Sequence, residues 1–402
     1  MVDYSDEGHK VGRVGNYMQL CKFLGLAGLL VCWMLSSEAI AEDRATRIVT
    51  YRNLQQQETA TGEVLREFGD GSLLLLVSDG RLLTLHPDEI IESIPSEQPL
   101  QIDTADQVIE GLRRVLGDGF QFRQSKHYLI AYNTNPAYAE WVGQLFERLY
   151  RGFYNYWKSR PVNLQEPRFS LVAIVFNNKA SYLAFGQRDI GDSASSMLGY
   201  YNMNTNAVVM YDLTGVDGMV PAGQRVSTQA LINQVLSQPQ SERTVATIVH
   251  EAVHQLSFNS GLQVRLADNP LWLSEGLAMY FESPDLRSPQ GWRMGNVNHH
   301  NLLLFAQYSG RRAEDSLITL IRDDERFKNS ASAADAYPLS WALAYFLMKA
   351  RGKQFAEYLN EIGRLQPLEE PNTDKRTELF IKHFGDIQKL DRDFLMYMKR
   401  VR

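Results

Sequence analysis

The pentapeptide His250-Glu251-Ala252-Val253-His254 constrains this chain more than any other segment. Around it, Val245, Ile248, Val249, Ala252, Val253 and Leu256 recur at helical spacing, so an amphipathic helix is expected. Ser241 is the expected cap, and Gly261 follows the end closely. Residues four apart share one face of a helix, so both imidazoles can reach one metal ion. Glu251 is displaced around the helix. It can contact a water on that ion without itself being a ligand. The competing reading is an ordinary helix that carries two histidines by chance, and a third ligand is needed to set it aside.

Residues 269–282 supply a candidate. Pro270-Leu271-Trp272-Leu273-Ser274-Glu275-Gly276-Leu277-Ala278 begins a second helix, with Asp268 or Asn269 as the expected cap and Pro270 at its first position. Glu275 sits among apolar neighbours, where a carboxylate is costly unless paired or metal-bound. The alternative is an acid at a helix start, favoured there by the macrodipole.

Together these segments resemble the gluzincin metallopeptidases, the group that includes the zinc aminopeptidases and thermolysin, and more loosely the secreted bacterial peptidase MA-like proteins. In that group HExxH provides two zinc ligands and a catalytic glutamate. A downstream helix with a context like LWLxEGxA provides the third ligand. The resemblance implies one zinc per chain held by His250, His254 and Glu275, with Glu251 as general base. His254 and Glu275 stand 275 − 254 = 21 positions apart, slightly wider than in the aminopeptidases. The resemblance also implies that Tyr337, at the start of a later helix, donates a hydrogen bond to the developing oxyanion. A phenol suits that role because it donates without a competing charge; a core aromatic with its hydroxyl at the rim is the other reading. The implied fold is zincin-like, a mixed sheet followed by a mostly helical part. The chain departs from the aminopeptidases in lacking a GxMEN-type segment, so aminopeptidase activity does not follow. Ala207 to Tyr211 is offered as the edge strand that pairs with an extended substrate, or as an ordinary sheet edge.

The rest of the chain fits an exported α+β protein. Residues 1–41 read as a signal peptide: Lys10, Arg13 and Lys22 precede the apolar run Phe23 to Leu35, and Ala39-Ile40-Ala41 is a small-x-small cleavage site. The expected location is periplasmic or extracellular, with membrane attachment only if the leader stays uncleaved. Cys21 and Cys32 both fall in the leader, so a mature chain would have neither disulfides nor thiolate ligands. Residues 42–96 hold short apolar runs punctuated by Gly69-Asp70-Gly71 and Asp79-Gly80, which suggests a small SH3-like barrel. Such a barrel can bind a protein partner, but the fold by itself names no function. Residues 97–103 are the expected linker and residues 104–402 the peptidase domain. Strands first and helices after indicate α+β. The net charge of −6 offers no basic footprint for nucleic acid.

Other candidates have simpler readings. His299-His300 reads as a surface loop, because adjacent residues point apart. His127 reads as a strand residue and His86 as a turn residue. Glu282 is either support for a ligand or a solvated helix end. Phe146, Leu149, Phe153 and Trp157 fall on one helical stripe and read as core. The functional expectation is zinc-dependent hydrolysis of peptide or protein substrates. The alternatives are a non-catalytic envelope scaffold with a structural zinc, or a zinc amidase or peptidase acting on peptidoglycan.

Overall fold

Five strands follow one another in the first part of the chain: β1 (Thr46–Asn53), β2 (Gln56–Glu67), β3 (Leu73–Val77), β4 (Leu82–Leu85) and β5 (Ile90–Ser96). They form one antiparallel sheet in the order β4-β3-β2-β1-β5. In this computed structural model, residues 44–53, 56–215, 228–238, 241–283 and 294–402 are described. The expected signal peptide, with Cys21 and Cys32, lies outside the described residues.

β3 is buried along its whole length, because each face of the strand meets a different core. Leu73, Leu75 and Val77 pack with Val49, Tyr51 and Leu85 inside the sheet's own curl. Leu74 and Leu76 point the other way and pack with Leu82 and Phe169. Alternation would have been the signal of a half-exposed strand, and its absence here marks a strand covered twice. The sheet bends at register shifts between Val64 and Arg66 and between Thr50 and Tyr51, as bulges do. Among the described residues no pairing joins β4 to β5, so the expected barrel is not closed by a hydrogen-bonded ladder. One reason lies at β4, whose first amide, Leu82 N–H, donates to Asn204 O of the second unit at 2.8 Å.

The second sheet contains β6 (Gln121–Gln124), β7 (Tyr128–Tyr132), β8 (Leu171–Phe176), β9 (Gly199–Asn202) and β10 (Ala207–Tyr211), in the order β6-β7-β8-β10-β9. β7, β8 and β10 run parallel; β6 and β9 are antiparallel to their neighbours. The three central strands are buried at every residue, as parallel strands covered on both faces must be. Helix α1 (Ala105–Leu116) precedes the sheet, while α2 (Pro136–Lys158) and α3 (Lys179–Ile190) make the crossovers. Phe146, Leu149, Phe153 and Trp157 of α2 are all buried, so that stripe is core.

The expected edge strand is corrected. Ala207 to Tyr211 lies between β8 and β9, and β9 is the edge. The apolar run Ala-Val-Val-Met-Tyr can be covered on both faces. Gly199-Tyr-Tyr-Asn carries the polar groups that tolerate an edge.

From residue 228 onward the described chain is helical: α4 (Gln229–Leu236), α5 (Glu242–Asn259), α6 (Leu271–Phe281), α7 (His299–Ser309), α8 (Ser316–Arg322), α9 (Glu325–Lys328), α10 (Ser330–Ala350), α11 (Gly352–Ile362), α12 (Thr373–Phe384) and α13 (Ile387–Met398). The architecture is α+β, with an antiparallel sheet first and a mostly helical C-terminal part. Among the described residues no helix is long and apolar enough to cross a membrane.

Helix α5 packs on β9 and β10, and α6 lies between α5 and α10. The approach of α6 to α10 depends on Gly276. A Cβ there would stand 2.7 Å from Ser340 O and 2.8 Å from Ala344 Cβ. Backbone cannot yield as a flexible side chain can. Gly276→Ala is therefore expected to destabilise the fold by about 1–3 kcal/mol, the usual range for an overpacked core. Urea unfolding measures it, and an unchanged midpoint would show that the two helices can separate freely.

Candidate metal centre

Helix α5 is nailed to the sheet by polar side chains that the apolar pattern does not reveal. Gln255 is fully buried. Its Nε2 donates to Val172 O of β8 at 3.0 Å and to Asn206 O at 2.8 Å. Asn206 sits in the β9–β10 turn with φ +57°, a conformation asparagine tolerates better than most residues. Its side chain exchanges reciprocal hydrogen bonds with Asn259, at 2.7 and 3.0 Å. These contacts fix the rotation of α5, and so the direction its histidines face.

Opposite that face stands α6. Its first turn is capped from a distance: Leu271 N–H donates to Asp324 Oδ1 at 3.0 Å. Pro270 is the cap position itself, so the helix starts later than the expected cap at Asp268 or Asn269 would place it. Asp268, a candidate cap, instead pairs with Arg376, as does the other oxygen of Asp324. Ser241, the expected cap of α5, donates its hydroxyl to Val235 O at 2.7 Å.

Between the two helices His250, His254 and Glu275 converge, with one donor atom from each within 4.8 Å of the others. His250 Nε2 lies 3.2 Å from Glu275 Oε2, and His254 Nε2 lies 3.6 Å from Glu275 Oε1. The imidazoles meet edge to face, at 77° with centroids 4.8 Å apart. A tetrahedral ion about 2.0–2.1 Å from each donor would place donor atoms about 3.3 Å apart. The two imidazole–carboxylate separations, each to a different oxygen of Glu275, lie near that value, and the three donors all lie within 4.8 Å of one another, so small side-chain rotations would close them on such an ion. Two imidazoles and a carboxylate also form an open donor set, which leaves a fourth position for another ligand.

His250 is held at both nitrogens. Its Nδ1 lies 2.7 Å from Glu282 Oε2, and Asn298 Nδ2 donates to the other oxygen of Glu282 at 2.8 Å. Glu282 thus supports His250 and is not a solvated helix end. Glu275 and Glu282, the residue that caps the end of α6, are seven positions apart, which puts both on one face. That spacing was the signal available in the sequence. Asn298 had none, since it is contributed by the start of α7, where its own Oδ1 accepts from Asn301 N–H. His299 and His300 are exposed first residues of α7 rather than a loop.

Glu251 is not part of that donor set. Its Oε2 accepts the backbone N–H of Tyr201, on edge strand β9, at 2.9 Å. Burial pushes its carboxyl up to about 7; His250 opposes this, while Glu275 and Glu282 add to it. Burial also pushes His254 down to about 4, which keeps that imidazole neutral and able to ligate. At Glu275 burial works upward but is outweighed by the His250 hydrogen bond and the two imidazoles, so the carboxyl sits below its ordinary value. At His250 burial works downward but is outweighed by Glu275 and Glu282, so the ring holds its proton well above the ordinary range.

Tyr337 lies within α10, with Pro338 next to it inside the helix, not at a helix start as expected. Its phenol is held up first by the charge of Glu275, then by burial and the charge of Glu251. Its ring meets Phe327 edge-on, with centroids 5.4 Å apart. The charge of Glu251 also reaches Tyr182, whose hydroxyl is buried and lacks a hydrogen-bond partner. Nothing in the sequence pattern singled out Tyr182.

The fold and the cluster define an α+β protein with a His-His-Glu site able to hold one metal ion. A family model described as a protein of unknown function (DUF1570) matches residues 244–369. That span takes in His250, Glu251, His254, Glu275, Glu282, Asn298 and Tyr337, and leaves out both sheets. No curated protein matches the chain.

Two outcomes follow from the geometry. Metal binding displaces the proton that His250 holds above its ordinary range, so affinity should rise with pH, by up to about tenfold per unit while the ring stays protonated. Competition against a chromophoric chelator measures this, and a flat profile would mean that His250 is already neutral. Glu282→Ala should weaken metal binding about 10–100-fold, the usual effect of removing a ligand's carboxylate support. Unchanged affinity would detach Glu282 from the site.

Proposed function

We propose that this protein is an exported zinc-dependent peptidase of gluzincin type, with a zincin-like catalytic part and an SH3-like N-terminal sheet. One observation carries the reading. His250, His254 and Glu275 converge as a donor set, while Glu251, next in the chain, stays out of that set and is held within reach of their charges by the amide of an edge strand. A structural site has no need of a buried carboxylate poised beside it. A hydrolase needs one whose proton affinity lies near the working pH. Export rests on the signal peptide read at residues 1–41.

His250, His254 and Glu275 would hold the zinc, which when bound supplies a Lewis acid that polarises the carbonyl and makes water acidic enough to attack near neutral pH. Glu251 Oε2 takes the proton of the attacking water. As the C–N bond breaks, the same oxygen returns that proton to the leaving nitrogen, so no net proton is gained or lost. The Tyr337 hydroxyl donates to the carbonyl oxygen as charge develops on it. β9 is paired on one side only, by β10, and its open edge is where an extended peptide can add as a further strand.

Glu251→Gln is the test. It keeps the size and position of the side chain and removes the base. Hydrolysis of a peptide library should fall at least about 10²–10⁴-fold, with metal content unchanged at one per chain. A variant that cleaves as fast as the parent would sink the mechanism. A parent that holds zinc and cleaves neither peptides nor murein would favour a structural site.

A further inference from the structure

We infer that the N-terminal sheet is a positioning part of the candidate site: it braces the β9–β10 turn, and through that hairpin the Tyr201 amide that aims Glu251. The inference rests on the proposed function only for the role given to Glu251.

The sheet is not tethered by its linker alone. Arg168 makes a two-pronged ion pair with Glu63, at 2.6 and 2.9 Å. Arg66 donates to Pro367 O at 2.8 Å. Phe169 of the second unit completes the apolar cluster on the outer face of β3 and β4. At the β3–β4 turn, Gly80 adopts φ +88° and lies so close to Phe169 that a Cβ would stand 2.7 Å from its Cγ. A freely moving module would not need so close a fit.

The contacts concentrate on one small target. Leu82 N–H donates to Asn204 O at 2.8 Å. Arg265 Nη1 donates to Gly80 O at 2.8 Å and to Met203 O at 3.0 Å. Arg265 therefore spans the first sheet and the β9–β10 turn. Among the described residues no carboxylate is in ion-pair contact with it, so both of these hydrogen bonds go to main-chain carbonyls.

The target lies at an edge of the second sheet. β9 has four residues and a partner on one side only, and short edge strands fray readily. It is held at two further places. On the α5 side, the Tyr201 ring stacks on Phe258, its hydroxyl donates to Asn206 Oδ1 at 2.8 Å and its N–H meets Glu251. On the other side, the first sheet and Arg265 hold the turn at Met203 and Asn204. The Tyr201 amide is thus two residues from a contact with Arg265 and in direct contact with Glu251.

Amide hydrogen exchange on the full chain tests this, read by peptide over 199–206 and over 245–256. Arg265→Met removes the donors and keeps the stem. Gly80→Val undocks the turn from the opposite side. Both should raise exchange at 199–202 at least about tenfold, while α5 and zinc content hold at parental values. Arg265→Lys, which can still reach a carbonyl, should recover part of the protection. Arg47→Ala, which breaks only the Arg47–Glu67 pair inside the first sheet, should leave β9 unchanged. If both undocking variants loosen the first sheet and β9 keeps parental protection, the sheet is a passive attachment and the inference fails. The readout does not pass through hydrolysis, so the brace is tested equally well in a chain that cleaves no peptide.

Discussion

A carboxylate surrounded by apolar side chains persists only where something of opposite sign meets it, and Glu275 imposes that requirement on everything packed around it. Its neighbours on α6 are Trp272, Leu273, Leu277 and Ala278, all fully or almost fully buried. The side chains of His250, His254 and Glu275 remain 13–17% exposed. The cluster is thus dry enough for strong electrostatics and open enough to admit a small ligand. Glu275 is met by the two imidazoles, and His250 is met in turn by Glu282. This is a charge balance that a divalent cation can enter by displacing a proton.

That balance depends on how closely the helices approach. Gly276 lets α6 lie against Ser340 and Ala344, which brings Glu275 and the Tyr337 helix to the same place. Gln255 and the Asn206–Asn259 pair set the rotation of α5 from its other side. The site is therefore held between polar anchors on the sheet and a tight apolar contact among helices. Polar anchors specify direction, because an unmet buried amide is costly. The apolar contact specifies distance.

Much of this was legible along the chain. The helix around His250 follows from its 3.6-residue period. Other parts were not. β6 (Gln-Phe-Arg-Gln) is polar and short, with no period to read. α3 lacks a clear stripe because few of its residues are buried. Tyr337 looked like a helix start because Pro338 follows it; the helix is already two turns old there and absorbs the proline. The roles of β9 and β10 were exchanged because both strands of a hairpin look alike until a third strand chooses one of them.

By itself, the sequence determined the spacing: two imidazoles four apart on one helix, and two carboxylates seven apart on another. Such spacings are local, and helical geometry alone puts each pair on a common face. Tertiary structure decided that the two faces look at each other. It also decided that Glu251 meets the Tyr201 amide, that Asn298 completes the support of His250, and that the N-terminal sheet reaches the hairpin beside the site. These depend on contacts between segments distant along the chain, and no local period records which distant partner a side chain will meet.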